Sequence, residues 1–193
     1  KLVMSQGLVY FKLFLVSMVS VILIVIFYLL EQKTRFGKLK KIPRQVIIGI
    51  AFGLASILGT EQAVNVGGYL INVRDAAPIL ASFAFSPLSG IIAGIMGGIE
   101  RWFAAIWGAG YYTRLACTLA TIFAGLISAF FKSAMYNDQR PKWYNGFVTA
   151  LIVETFHMTM VFITNISDPH KAFEVVQSVT GPMMVVNAFA AGL

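Results

Sequence analysis

The sequence predicts an all-α protein, a polytopic transmembrane helix bundle of five to six spans with one Gly/Pro-broken segment. Three observations predict it. Hydrophobic residues make up 58% of the 193 and charged residues only 12%, against about a quarter charged in a soluble domain. Apolar runs recur along almost the whole chain at roughly the 20-residue length that crosses a bilayer. The charges collect in the loops between those runs, as in membrane proteins.

The net charge of +7 does not point to nucleic acid. The basic residues sit beside apolar runs, where they meet anionic headgroups and set orientation. The single cysteine, Cys117, excludes an intramolecular disulfide and a cysteine-based zinc cluster. The chain does not start with Met and ends within an apolar run, so residues 1–193 are read as one transmembrane domain cut from a longer protein. The first apolar run is too long for a signal peptide and lacks a small-residue cleavage pattern.

The first span is placed at Phe14 to Leu30. A loop with Lys33, Arg35, Lys38, Lys40, Lys41 and Arg44 follows, a strong cytoplasmic marker. Pro43 suits the start of the second span, placed from Val46 to Leu58 with a continuation toward Val66. Gly67-Gly68 marks a turn or irregular segment within 61–75. The stretch 76–99 contains Pro78, Pro87, Gly90, Gly94, Gly97 and Gly98, with its break at Phe85-Ser86-Pro87-Leu88-Ser89-Gly90. Aromatic residues suited to the membrane interface follow at Trp102, Phe103, Trp107, Tyr111 and Tyr112. Further spans are placed at Leu115 to Phe131, Phe147 to Ile166 and Phe173 to Leu193. A second polar loop, with Lys132, Asp138, Arg140 and Lys142, separates the first two of these.

Counting crossings constrains the broken stretch. Both basic loops belong on the cytoplasmic side, yet three full crossings between them would put them on opposite sides. A re-entrant pair of half-helices over 76–99 resolves the conflict. The alternative is one proline-kinked span, for which 24 residues suffice. The re-entrant reading places the N-terminus outside and the C-terminus inside.

Several residues are candidates for ligand binding. Arg74 and Arg101 flank the glycine-rich stretch, where membrane arginines are costly and mark function. Two guanidinium groups on one side can clamp a carboxylate or phosphate; the alternative is snorkelling or pairing with Asp75 and Glu100. Arg114 either joins them or ends its loop. Gly94, Gly97 and Gly98 either pack helices closely or bare the backbone to a ligand. Glu154 and His157 share a helix face and, with Asn187, are read as interhelical hydrogen-bonding groups or contacts to a polar ligand. Cys117 is a similar candidate, against its reading as a small buried hydrophobe. A metal needs more ligands than one Glu-x-x-His pair provides, so no metal and no cofactor are expected. No phosphate-binding loop, nucleophile elbow or paired carboxylates stand out.

In order and spacing, these residues resemble the five-transmembrane receptor domain of the LytS/YhcK type. The chain reads Asn72-Val-Arg74, then Ser86-Pro87-Leu-Ser-Gly90, then Ala93-Gly94-Ile-Met-Gly97-Gly98-Ile-Glu100-Arg101. Glu154-Thr-Phe-His157-Met158 and Pro182-Met183 through Asn187 follow, and the likeness covers about residues 46–193. Glu100 stands where many members have His, and the segment from Arg101 to Cys117 is longer, with Trp107 to Tyr112 added. The resemblance implies a bacterial cytoplasmic-membrane receptor for a small extracellular, anionic ligand such as a carboxylate. It implies binding through Asn72, Arg74, Arg101, Gly94, Gly97, Gly98, Cys117, Glu154, His157 and Asn187. It also implies a homodimer and a cytoplasmic output domain after residue 193, a histidine kinase with its response regulator or a diguanylate cyclase, with cell-wall regulation in the kinase branch. The fragment itself is then not the enzyme. The rival reading is a solute-binding membrane subunit of a transporter; a membrane zinc protease lacks ligands.

Overall fold

A computed structural model describes residues 6–66, 69–106 and 110–192. Trp107 and the Gly67-Gly68 pair lie outside the described residues. Helix α1 spans Gln6–Lys33, α2 Lys41–Glu61, α3 Ala76–Ala84, α4 Pro87–Ala104, α5 Arg114–Phe130, α6 Trp143–Thr164 and α7 Pro169–Ala191. A two-stranded antiparallel hairpin, β1 (Val64–Val66) and β2 (Tyr69–Ile71), joins α2 to α3, with Val64 paired to Ile71.

Among the described residues, four helices are long and apolar enough to cross a membrane: α1, α2, α6, and α5 together with the π-helical turn Phe131–Met135. At 28 residues, α1 is about 42 Å long, more than the roughly 30 Å of hydrocarbon. Much of its surface is exposed and apolar, including Phe11, Leu15, Ile22 and Val25. Water would disfavour such a face; acyl chains do not. Helix α7 is of similar length, and Lys171 and Glu174 lie in its first two turns.

The structure corrects three boundaries. The second span does not reach Val66: α2 ends at Glu61, and Val64 enters a strand whose apolar side, with Ile71, is buried against the core around Met158 and Met183. Helix α6 begins at Trp143 and α7 at Pro169, each earlier than the hydrophobicity suggests. Asp168 caps α7 by accepting the backbone N–H of Lys171 at 3.1 Å, and Pro169 supplies the fixed φ of a first helical residue.

The break in the glycine-rich stretch forms as its residues require. Pro87 has no N–H to continue α3 and suits the first position of a new helix. Ser86 caps α4 by accepting the Ser89 N–H at 3.2 Å. Lys132 Nζ donates to the Phe83 carbonyl at 2.6 Å, placing a cation at the C-terminal end of α3, where unpaired carbonyls collect.

The turn between α3 and α4 lies at the end of the bundle that carries the basic loops. Phe85 packs against Phe27 and Phe52 at ring separations of 6.0 and 5.8 Å. Ser89 Oγ donates to the Gln45 carbonyl at 2.9 Å. Glu31, Arg44, Lys132 and Arg140 line one crevice beside it. Helix α3 therefore runs toward the basic loops and α4 runs back, as the charge count demands.

Helix α4 lies between α2 and α5, and small residues permit the approach. A Cβ on Gly94 would stand 2.9 Å from the Thr121 carbonyl oxygen, and one on Gly90 2.9 Å from that of Pro78. Both are closer than a carbon tolerates.

The hairpin topology predicts a labelling pattern. In a Cys117→Ala background, Lys38→Cys and Gln139→Cys should react with an impermeant maleimide from one membrane side and Tyr111→Cys from the other. Reaction of Tyr111→Cys on the side of Lys38→Cys, with Gln139→Cys opposite, would show a single kinked span instead.

A candidate ligand site at the head of the helical hairpin

Because α3 and α4 double back, the residues before α3 and at the end of α4 meet at one end of the bundle. Arg74 and Asp75 immediately precede α3, and Arg101 lies in the last turn of α4. All three are buried, Arg74 completely. Ion burial on this scale is tolerated only with close partners.

Thr121 of α5 supplies the joint. Arg74 Nε donates to Thr121 Oγ1 at 2.6 Å, and that hydroxyl donates to Asp75 Oδ1 at 2.6 Å. Arg74 Nε is also 3.5 Å from Asp75 Oδ1. A second guanidinium nitrogen of Arg74, Nη2, is 3.4 Å from the Cys117 carbonyl, one turn before Thr121. Ser56 of α2 donates to the Arg74 carbonyl at 3.2 Å. Arg101 donates to the Gly110 carbonyl at 3.3 Å and faces the Cys117 thiol.

Helices α6 and α7 close the other side. His157 Nε2 is 3.2 Å from Cys117 Sγ. Its Nδ1 lies 3.5 Å from both Asp75 Oδ2 and Glu154 Oε2. Asn187 Nδ2 donates to Glu154 Oε1 at 2.6 Å and lies 3.4 Å from the Asn72 carbonyl.

Beside this network is a cavity of about 160 Å³. Asn72, Cys117 and His157 form its polar wall. Val161, Val175, Val179 and Met183 form much of its apolar wall, and Tyr69, Tyr112 and Lys171 approach from the hairpin and loop end. Several buried donors and acceptors are unspent among the described residues: Arg74 Nη1, Arg101 Nε and Asn72 Oδ1. Such orphans are uncommon in native structures and mark places where a further partner belongs.

The fold thus brings together seven of the ten sequence candidates: Asn72, Arg74, Arg101, Cys117, Glu154, His157 and Asn187. The other three stand apart. Gly94 meets Gly125 and Thr121, Gly97 meets Ser56, and Gly98 meets Ile122; none of them lines the cavity. Arg114 stacks over Trp102 at 3.6 Å and lines a separate surface groove. Sequence reasoning passed over Thr121 and treated Asp75 only as a neighbour for arginine. Thr121 was marked by its place one turn after Cys117 on a single α5 face, and Asp75 by being an acid beside Arg74 at the mouth of an apolar helix.

The fold is that of a multi-pass helical membrane domain. The chain belongs to the five-transmembrane receptor family described as 5TMR of 5TMR-LYT, whose profile matches residues 27–193. Among its relatives is the sensor histidine kinase YpdA of Escherichia coli, 32% identical over 122 residues, covering 63% of this chain and 21% of that protein. The sensor histidine kinase BtsS of the same species is 26% identical over 156 residues, covering 79% of this chain and 27% of that protein. The sensor protein LytS of Streptococcus agalactiae is 24% identical over 192 residues, covering 89% of this chain and 31% of that protein. The chain thus spans between a fifth and a third of the length of these relatives. No solved structure matches it significantly.

The Thr121 joint is testable alone. Thr121→Val keeps the shape but strands a buried guanidinium N–H and a carboxylate oxygen, at a cost of about 1–3 kcal/mol or more. A lowered melting temperature in detergent is expected, with recovery in Thr121→Ser. A melting temperature equal to that of the unsubstituted protein would show that the joint carries no stability.

Proposed function

We propose that this domain binds a small carboxylate and passes the binding event to a cytoplasmic output domain that follows residue 193. The observation that carries the reading is a pair of buried arginines, each with an unspent N–H, beside Cys117, which itself lines a small cavity that neither arginine lines. At about 160 Å³, against roughly 30 Å³ for each liquid water, the cavity suits a molecule of a few carbons. Unspent guanidinium donors favour an anion over a neutral solute, and carboxylate and phosphate are the groups they match. The apolar wall favours a carboxylate with a short hydrocarbon part over free phosphate.

The output is a histidine kinase acting on a response regulator, a reading supported by relatives that are sensor histidine kinases, with a diguanylate cyclase as the alternative. Cell-wall regulation is the process that the LytS likeness suggests. The excess of Lys and Arg in the two loops that share one end of the bundle supports a cytoplasmic position for that end. The ligand cavity then faces outward, and α7 runs toward the cytoplasm from a start near Tyr112, whose hydroxyl donates to the Asp168 carbonyl at 3.0 Å. The setting is a bacterial cytoplasmic membrane, and a homodimer suits a kinase output.

Full-length protein in nanodiscs should gain thermal stability from one member of a panel of short carboxylates. A ligand at a hundred times its Kd adds about 2.7 kcal/mol. Arg74→Ala and Arg101→Ala should each abolish that gain while the protein stays in the membrane, and Arg101→Lys should weaken it. An undiminished gain in Arg101→Ala would refute the arginine site.

A further inference from the structure

The cluster behind the cavity wall has a second feature that anion binding does not use. Asp75, Glu154 and His157 come from the α3 entry and α6, all are buried, and each points one atom that carries no hydrogen bond at the same place: Oδ2, Oε2 and Nδ1, with Nδ1 at ion-pair distance from both oxygens. These three atoms lie within 4.8 Å of one another. The imidazole nitrogen is 3.5 Å from each carboxylate oxygen and hydrogen-bonds to neither.

The opposite atom of each residue is held. Asp75 Oδ1 accepts from Thr121 and faces Arg74, and Glu154 Oε1 accepts from Asn187. His157 Nε2 faces Cys117 Sγ. A proton on Nε2, donated to sulfur, leaves the Nδ1 lone pair free to bind a cation. Outer partners that fix ligand orientation and tautomer in this way are what metal-ligating His and carboxylate residues have.

Spacing and charge agree. Ligand atoms about 2.0–2.2 Å from a tetrahedral ion stand roughly 3.4 Å apart, close to the two 3.5 Å separations. A divalent cation at that point would sit between the two carboxylates and take the place of an imidazole proton as the charge that balances them. One His and two carboxylates suit Zn²⁺ or Mn²⁺. The sequence alone offered too few ligands because Asp75 is distant along the chain from Glu154 and His157.

We propose that Asp75 Oδ2, Glu154 Oε2 and His157 Nδ1 form a site for one divalent transition-metal ion, most suited to Zn²⁺. Three protein ligands leave at least one coordination position open. The inference does not depend on the identity of the cavity's ligand.

The test uses the full-length protein in nanodiscs, stripped with chelator and titrated with Zn²⁺ and with Co²⁺. His170 and Glu174 form an exposed pair 3.4 Å apart one helical turn from each other, so the titrations are made in a His170→Ala background. Expected are one Zn²⁺ per chain by elemental analysis and the visible absorption of Co²⁺ in a site of low coordination number. His157→Gln and Glu154→Gln should lose the metal. Asn187→Ala keeps all three ligands and should weaken binding by about 10–100-fold, and Glu100→Gln, outside the cluster, should bind normally. Absence of stoichiometric metal in the parent protein would overturn the site and leave a proton to balance the cluster. So would a Co²⁺ spectrum unchanged in His157→Gln.

Discussion

A guanidinium and a carboxylate that enter a lipid-surrounded bundle must find every partner inside it, because no water is available to complete their hydrogen bonds. Arg74 and Asp75 meet part of this demand through one hydroxyl, with Arg74 Nη1 and Asp75 Oδ2 left without a hydrogen bond. Thr121 accepts from the first and donates to the second, which ties the entry of α3 to the middle of α5. Removing one member of such a buried pair costs about 3–5 kcal/mol, enough to dictate where neighbouring helices lie. Helix α2 shows the consequence. A Cβ on Gly59 would stand 2.8 Å from the Arg74 Cα, so only a bare backbone fits beside the charged turn. One turn earlier Ser56 hydrogen-bonds the Arg74 carbonyl. The small residues of α2 and α4 are thus the packing condition for the polar cluster, and this accounts for the place of Gly94, Gly97 and Gly98 at helix contacts rather than in the cavity wall.

The parts of this arrangement that were legible in the sequence are those set by local chemistry and by charge. Long apolar runs marked the spans, and Ser86-Pro87 marked the break. The basic loops favoured a hairpin over one kinked span, because two Lys/Arg-rich loops on one side leave only an even number of crossings between them. Boundaries were less legible where polar residues continue a helix. Helix α7 extends back to Pro169 through His170, Lys171 and Glu174 because Asp168 caps it, a local signal outweighed by hydropathy. The short β hairpin was hidden because three-residue strands carry too little alternation to be told from an irregular segment.

The site divides along the same line. Arg74, Arg101, Cys117, Glu154, His157 and Asn187 stood out because each is an ionisable or polar group in apolar surroundings. Their mutual distances did not, since Asn187 to Glu154 and Arg74 to Thr121 are contacts between helices remote in sequence. Lys132 makes the point most sharply. In the sequence it is one of several basic residues in a polar loop. In the fold it is buried and holds the Phe83 carbonyl, a role visible only once α3 is known to stop beside it.

Under the proposed reading, output requires that a ligand prefer one arrangement of the helices over another, so the cavity would be lined by an element that also leads away from it. Helix α7 meets both conditions. It lines the cavity through Val175, Val179 and Met183, and beyond these it holds the charged cluster through Asn187. Pro182 lies within the cavity-lining stretch, between Val179 and Met183. Lacking an N–H, it leaves the Ser178 carbonyl without its helical partner, and such positions are where helices bend. Gly181 beside it has no neighbour that a Cβ would touch, so nothing packed there would oppose bending at this point. Below Asn187 the helix is held again, with Ala191 packed on the bare backbone of Gly146 in α6. A change at the cavity therefore acts on a helix that is softened once, gripped by charge one turn later, and packed tightly toward the end that bears the basic loops.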